Sequence, residues 1–214
     1  MNIDPEFTPA GDGTTRKLRM LCLHGYHGSG SILRRQLAPL TAAIGASTES
    51  VFVDAPSLAR GDFGWWHLGF RGWESTRDWA VELLRRGPRF DGVFGFSQGA
   101  ALTGLLAAVC ENSDIRMPFD FAIMVGGFTS TEPRHADLFR RPLTIPSVHV
   151  MGRADTIVPL PDSRVLADRF VDPLVLEHAG GHIIPGDRAV TGAIANFLSG
   201  ISRATDRGPV QSAQ

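Results

Sequence analysis

The sequence alternates short apolar runs with longer amphipathic segments, and this alternation restricts the chain to a few folds. Six runs of mostly β-branched or large apolar residues each end at a turn former; they lie at 18–24, 50–54, 92–96, 119–125, 147–151 and 173–177. Their hydrophobicity is nearly continuous, which is typical of parallel strands buried on both faces. Between them, apolar residues recur every three or four positions, as in amphipathic helices. The pattern predicts an α/β fold, a three-layer sandwich around a mostly parallel sheet of about six strands.

Length and composition indicate an ordinary globular protein. Of 214 residues, 43% are hydrophobic and 20% are charged, and no repeat or linker divides the chain. We expect one domain over residues 16–202, with flexible termini at 1–15 and 203–214. The 21 basic and 22 acidic residues nearly cancel, which argues against a nucleic-acid or membrane partner. With no membrane span, no signal peptide and only two cysteines, a cytoplasmic protein is expected.

A Gly-x-Ser-x-Gly motif at residues 95–99 lies between the third predicted strand and an apolar helix. In this context the motif predicts a nucleophile elbow, a sharp turn that exposes Ser97 at the carboxyl edge of the sheet. Gly95 and Gly99 fit such a turn because it leaves no room for Cβ atoms, while Ser97 itself is expected to be strained. The helix N-terminus favours developing negative charge there. An incidental serine in a structural glycine turn is the alternative.

A nucleophilic serine needs a general base, and the base needs an orienting carboxylate. Asp155 follows the fifth predicted strand and His182 follows the sixth, so both belong to loops at the same sheet edge as Ser97. The order Ser, Asp, His is the one expected for an α/β-hydrolase. His178 stays open as an alternative base, and Asp162 is interpreted as a helix N-cap.

The remaining histidines have plainer interpretations. His149 lies inside a predicted strand and is expected in the core. His24 and His27 follow the first strand, where a metal site is conceivable, but no cluster of Asp, Glu or Cys accompanies them. We therefore expect neither a metal nor a cofactor.

An oxyanion hole requires two N–H donors. We expect one from the backbone of Gln98, directly after the nucleophile, and the other from Tyr26 in the glycine-rich loop after the first strand. The alternative is that this loop only turns the chain.

Three of the four tryptophans lie in one stretch, residues 63–73, which we call the aromatic segment. On a loop above the sheet, it would wall an apolar pocket for an acyl or aryl group. Trp65, Trp66 and His67 are then substrate-binding residues, with Phe128 on the opposite wall. An equally acceptable interpretation is a plug packed on the helices. Neither wall is long enough for a lid domain, so an open site is expected.

Taken together, the motifs resemble those of the FSH family of small serine hydrolases, within the α/β-hydrolase superfamily. The resemblance rests on Leu-Cys-Leu-His-Gly, Gly-Phe-Ser-Gln-Gly-Ala, Met-Gly-Arg-Ala-Asp-Thr-Ile-Val-Pro and His-Ala-Gly-Gly-His-Ile-Ile-Pro, and it spans residues 19–201. It implies a compact sheet with little or no cap, and a triad at Ser97, Asp155 and His182. Acyl-protein thioesterases share Gly-Phe-Ser-Gln-Gly, but Ala100 and the last motif favour the FSH group. The short aromatic segment departs from many members.

The leading hypothesis is a serine hydrolase that cleaves a carboxylic ester or thioester through an acyl-Ser97 intermediate. Its partner would be a small-molecule or carrier-bound acyl substrate, as the resemblance implies. Carbon–carbon bond hydrolysis, acyl transfer or cyclisation on the same scaffold is the alternative. A ligand-binding protein without catalysis is a further alternative, which the complete set of three side chains disfavours.

Overall fold

The computed structural model of the chain describes residues 16–57, 64–112 and 119–206. Its six strands are β1 (Leu18–Leu23), β2 (Thr48–Val53), β3 (Gly92–Phe96), β4 (Phe121–Val125), β5 (Ser147–Gly152) and β6 (Leu174–His178). They form one sheet in the order β2-β1-β3-β4-β5-β6, and every neighbouring pair is parallel. The predicted parallel sheet of about six strands is confirmed.

Helices cover both faces of this sheet. They are α1 (Gly30–Gln36), α2 (Ala38–Ile44), α3 (Trp73–Arg86), α4 (Gln98–Asn112), α5 (Leu160–Ala167) and α6 (Arg188–Asp206), with 3-10 turns at Leu68–Phe70 and Pro133–Phe139. The first two helices and α6 pack on the face that carries Met20 and Cys22. The other three pack on the face that carries Leu21 and Leu23, because successive side chains of a strand point to opposite faces. The result is the predicted three-layer sandwich.

Burial explains why the central strands are apolar throughout. All residues of β3, β4 and β5 are buried, and helix α4 is buried on nearly every side, as its apolar composition predicts. Because all six strands run in one direction, their carboxyl ends meet at one edge of the sheet. That edge is where the loops after β1, β3, β4, β5 and β6 come together.

Two boundaries differ from the sequence-based expectation. The apolar stripe from Leu33 to Ile44 is divided at Leu37 into α1 and α2, because Pro39 has no N–H to continue the first helix. Helix α6 runs to Asp206, past the predicted domain end at 202, with Arg203 in its last turn, where a cation favours the helix dipole. Of the segments predicted to be flexible, 1–15 and 203–214, all of the first and residues 207–214 of the second lie outside the described residues.

The opposite edge of the sheet is held by a buried carboxylate. Asp91, directly before β3, accepts hydrogen bonds from both Arg16 terminal nitrogens (2.8 and 2.6 Å) and from the Arg19 N–H (2.7 Å). Burial raises the pKa of Asp91, but these hydrogen bonds and the charges of Arg16 and Arg89 outweigh burial and lower it below its ordinary value. The ionised form therefore stabilises the fold.

Replacement of Asp91 by asparagine is expected to lower the free energy of unfolding by about 2 kcal/mol at pH 7, as for loss of charge-assisted hydrogen bonds. The Asp91 contribution is present above the unfolded-state pKa of about 4 and is lost as pH falls through the lower folded-state value. Urea unfolding between pH 7 and pH 3 should therefore show the two proteins converging. Asp120→Asn, which removes an exposed ion pair with Arg89, is the control and should change little. A constant difference at every pH would contradict this role.

Candidate active site

The turn from β3 into α4 has the geometry of a nucleophile elbow. Ser97 has φ of 55°, which is strained for a residue with a side chain. A Cβ atom on Gly95 would lie 2.2 Å from the Gly99 carbonyl oxygen, and one on Gly99 would lie 2.2 Å from the Leu23 carbonyl oxygen. The Ser97 N–H donates to the Val125 carbonyl of β4 at 2.9 Å. Both glycines are therefore sterically required, and the elbow is fixed against two neighbouring strands.

The structure brings Ser97, His182 and Asp155 into one hydrogen-bonded chain. Nε2 of His182 lies 2.8 Å from the Ser97 hydroxyl oxygen, and Nδ1 lies 2.7 Å from Oδ2 of Asp155. Because an ionised carboxylate only accepts, Nδ1 carries the proton and Nε2 presents its lone pair to the hydroxyl. This arrangement suits Nε2 for taking the hydroxyl proton.

The Asp155 carboxylate is almost fully buried but well supported. Its Oδ1 accepts from the N–H groups of Ile157 and Val158, both at 2.9 Å. Burial raises the pKa of Asp155, but the hydrogen bonds from His182, Val158 and Ile157 outweigh it and lower the pKa below its ordinary value. The carboxylate is therefore ionised at neutral pH and can stabilise a positive imidazole beside it.

Gly126, at the end of β4, makes room for the imidazole. Its φ is 57°, and a Cβ atom there would lie 3.0 Å from Cε1 and 3.2 Å from Nδ1 of His182. The Phe96 ring approaches the imidazole from another side, with centroids 5.0 Å apart. Sequence reasoning missed Gly126, although a Gly-Gly pair directly after a buried strand was the signal that could have identified it.

The two residues expected to supply oxyanion donors border the same cavity as Ser97. Gln98 is the first residue of α4, so its N–H has no carbonyl partner within the helix. Tyr26 lies in a turn closed by a Gly28 N–H bond to the Gly25 carbonyl at 3.0 Å. A Cβ on Gly25 would lie 3.2 Å from the Ser97 Cβ, so this loop packs directly against the elbow.

The other histidines are engaged elsewhere. In His24, Nδ1 donates to the Gly25 carbonyl at 2.8 Å and Nε2 accepts from the Ala55 N–H at 3.1 Å, so this ring has no lone pair to offer a metal. Within residues 16–57, 64–112 and 119–206, no three side chains of His, Cys, Asp or Glu are grouped as a metal site. His149 is buried, which lowers its pKa to about 3. Nδ1 of His178 accepts from the Gly180 N–H at 3.1 Å.

One helix-capping prediction is wrong. Pro159 occupies the N-cap position of α5, and Asp162 lies inside the first turn. There its charge still favours the helix dipole. The side chain lines the edge of the cavity beside Ser97.

A cavity of about 860 Å³ opens beside Ser97. It is lined by Trp66, His67 and Phe128, which the sequence analysis predicts to bind substrate. Phe70 and Ile157 also line it. The cavity is bounded by the loops after β1, β2, β4 and β5, and an open site of this kind was expected.

Trp65, also expected at the substrate, lies instead in the core. It is 1% exposed, its indole N–H donates to the His24 carbonyl at 2.7 Å, and its ring packs on those of His24 and Trp79. Trp66, which is 6% exposed, belongs to the same buried cluster but also borders the cavity. The segment therefore combines the two predicted structures: it is a plug at Trp65 and a cavity wall at Trp66. Its first residue, 63, lies outside the described residues.

The chain is similar to known proteins both in sequence and in fold. The model of the family described as "Serine hydrolase (FSH1)" matches residues 14–194. Esterase OVCA2 of Homo sapiens is 33% identical over 221 residues, covering 86% of this chain and 96% of that protein. Esterase C25G4.2 of Caenorhabditis elegans is 34% identical over 205 residues, covering 85% and 93%. The crystal structure of Zea mays acyl-protein thioesterase 2 has the same fold, with a TM-score of 0.63 and 20% identity over 86% of this chain and 95% of the other.

These matches agree with the compact parallel sheet, into which the described residues insert no cap domain. In the same part of the chain, no helix combines the length and apolarity needed to cross a membrane. The fold is that of the α/β-hydrolases, and the chain belongs to the serine hydrolase (FSH1) family of esterase-type enzymes.

Proposed function

We propose that the protein hydrolyses carboxylic esters or thioesters through an acyl-Ser97 intermediate. The observation that carries the proposal is the hydrogen-bonded chain from Ser97 through His182 to Asp155, at 2.8 and 2.7 Å, beside the cavity. Such a chain supplies a nucleophile, a base and an orienting carboxylate in one place.

In the first half of the reaction, Ser97 Oγ attacks the acyl carbon while Nε2 of His182 takes the hydroxyl proton. The N–H groups of Gln98 and Tyr26 stabilise the oxyanion, and Asp155 stabilises the imidazolium. His182 then passes its proton to the leaving alcohol or thiol, and the acyl group stays on Ser97. In the second half, His182 takes a proton from water, which attacks the acyl carbon. The bond to Ser97 Oγ then breaks, His182 returns its proton to Oγ, and the acid is released.

The cavity supports an apolar acyl group as the part of the substrate that is bound. Phe128 and the small exposed parts of Trp66 and Phe70 give it an aromatic lining, as in sites for largely apolar ligands. The names of the relatives, esterases and an acyl-protein thioesterase, support an ester or thioester as the bond cleaved. The acyl group would arrive on a small molecule or on a carrier.

Covalent labelling tests the proposal directly. A fluorophosphonate probe should add its phosphonyl group to Ser97, seen by mass spectrometry of the modified peptide, and Ser97→Ala should not be labelled. Ser31→Ala, which changes an exposed serine of α1, is the matched control and should label normally. Parallel assays with p-nitrophenyl and acyl-thiol substrates should show hydrolysis by wild type. Labelling or hydrolysis that persists in Ser97→Ala would refute the assignment.

A further inference from the structure

The carboxamide of Gln98 joins the nucleophile elbow to the aromatic segment. Its Oε1 accepts from the Trp65 N–H and its Nε2 donates to the Trp66 carbonyl, both at 2.9 Å. Gln98 is 6% exposed, so both hydrogen bonds are largely shielded from water and are costly to lose. One side chain thus bridges two successive residues of a loop.

Side chains, rather than a strand ladder, hold this part of the aromatic segment. Four backbone groups of residues 64–66 have side-chain partners. The Gly64 carbonyl bonds to Ser57, and the Trp65 carbonyl accepts from Thr76 at 2.5 Å; the other two groups bond to Gln98. Buried backbone groups need partners, so losing Gln98 leaves two of these four unsatisfied.

The packing around Gln98 extends to the opposite loop. A Cβ on Gly64 would lie 2.7 Å from Oε1 of Gln98 and 2.5 Å from the Tyr26 ring, so the Gly64 backbone is held between them. From there the segment continues to Trp66, whose ring stacks on Phe70 at 5.2 Å. The bridge therefore holds the backbone of Trp66, whose ring is 6% exposed and borders the cavity.

We propose that Gln98 is a positioning residue. Its carboxamide sets which acyl lengths the site prefers, by holding Trp66 in the cavity wall. This inference rests on the proposed function. It concerns the side chain, and is separate from the role assigned to the Gln98 backbone N–H. Short acyl groups that do not reach Trp66 depend on the bridge less than long ones do.

Two substitutions separate positioning from general disturbance. Gln98→Met keeps a similar length and volume but can neither donate nor accept as the carboxamide does. Gln98→Glu can accept from the Trp65 N–H, but when ionised it places a second acceptor against the Trp66 carbonyl. When protonated, the same carboxyl donates to that carbonyl and restores the bridge. Burial raises the pKa of such a carboxyl, which brings the change into an accessible pH range.

The experiment compares kcat/KM for p-nitrophenyl octanoate with that for the acetate between pH 5.5 and pH 8. Because both esters use the same His182, the titration of the base cancels in their ratio. Gln98→Met should lower the octanoate-to-acetate ratio about tenfold at every pH, mainly through KM, because two hydrogen bonds that hold the segment are lost. In Gln98→Glu the octanoate-to-acetate ratio should be below that of wild type at pH 8 and should approach the wild-type ratio at pH 5.5. Gln36→Glu, on the exposed face of α1, is the matched control and should leave the ratio unchanged.

An unchanged ratio in Gln98→Met, or a ratio in Gln98→Glu that does not depend on pH, would overturn the positioning role. Failure of the proposed function has a different signature, namely hydrolysis that survives in Ser97→Ala or is absent from wild type. If wild type does not hydrolyse either ester, the near-ultraviolet circular dichroism of the tryptophans still tests whether the Gln98 side chain positions the aromatic segment. The Gln98→Glu spectrum should return to that of wild type on acidification, and a spectrum that stays altered would overturn the inference.

Discussion

Replacement of Asp155 by asparagine should lower kcat by about 10⁴-fold with little change in KM, as when a triad acid loses its charge. The hydrogen bonds at Oδ1 of Asp155 explain this loss of kcat. Two backbone N–H groups, from Ile157 and Val158, point at this atom, so an asparagine places its carbonyl oxygen there and its NH₂ toward His182. Nδ1 must then accept, the ring proton moves to Nε2, and the base no longer has a lone pair for Ser97.

The measurement is steady-state hydrolysis of a p-nitrophenyl ester, with thermal unfolding to show that the variant is folded. Asp168→Asn, at the exposed C-terminal end of α5, is the matched control and should retain wild-type kcat. A loss of tenfold or less in Asp155→Asn would mean that Asp155 does not orient the base.

Replacement of Gly126 by alanine should reduce kcat/KM about tenfold, because the imidazole must move by a few tenths of an ångström and a displacement of about 1 Å costs roughly 100-fold. The new methyl group would lie 3.0 Å from Cε1 of His182 and 3.7 Å from Oδ2 of Asp155, so the imidazole must shift away. The positive φ adds strain of about 1 kcal/mol or more, which should appear as a lower melting temperature. Hydrolysis and thermal unfolding are measured on the same preparations.

Gly72→Ala is the control that separates these two effects. Gly72 also has a positive φ, 87°, but no atom lies within 4 Å of the position its Cβ would take. This variant should lose stability as Gly126→Ala does and yet keep its activity. Equal losses of activity in the two variants would show that backbone strain, and not contact with His182, is responsible.

Much of the fold follows from the sequence because parallel strands buried on both faces leave a distinct pattern. The run at 92–96 coincides with β3, and the apolar stretch after Ser97 coincides with α4. The same regularity places Ser97, Asp155 and His182 in loops at one edge, since each follows a strand. Whether they act as proposed remains a prediction for the variants above.

Loops lack such periodicity, and there the sequence was a weaker guide. Nothing in Trp65-Trp66 distinguishes the ring that is wholly buried from the ring that also borders the cavity. The difference arises in the folded chain, where the Trp65 indole N–H donates to the His24 carbonyl and the Trp65 carbonyl accepts from Thr76. The bridging role of the Gln98 side chain depends on residues 32 and 33 positions earlier in the chain. Gly126 is required by an imidazole 56 residues later, which only the folded structure brings near.

The hydroxyl–imidazole contact joins positions 85 residues apart, and the last three strands lie between them in the chain. During synthesis, therefore, the elbow emerges from the ribosome long before its histidine does. Under the proposed function, a nascent chain that ends before β6 holds Ser97 without its base and cannot turn over substrate. Hydrolytic activity would then require β6 and the loop that follows it, so the appearance of activity would report that the sheet is complete.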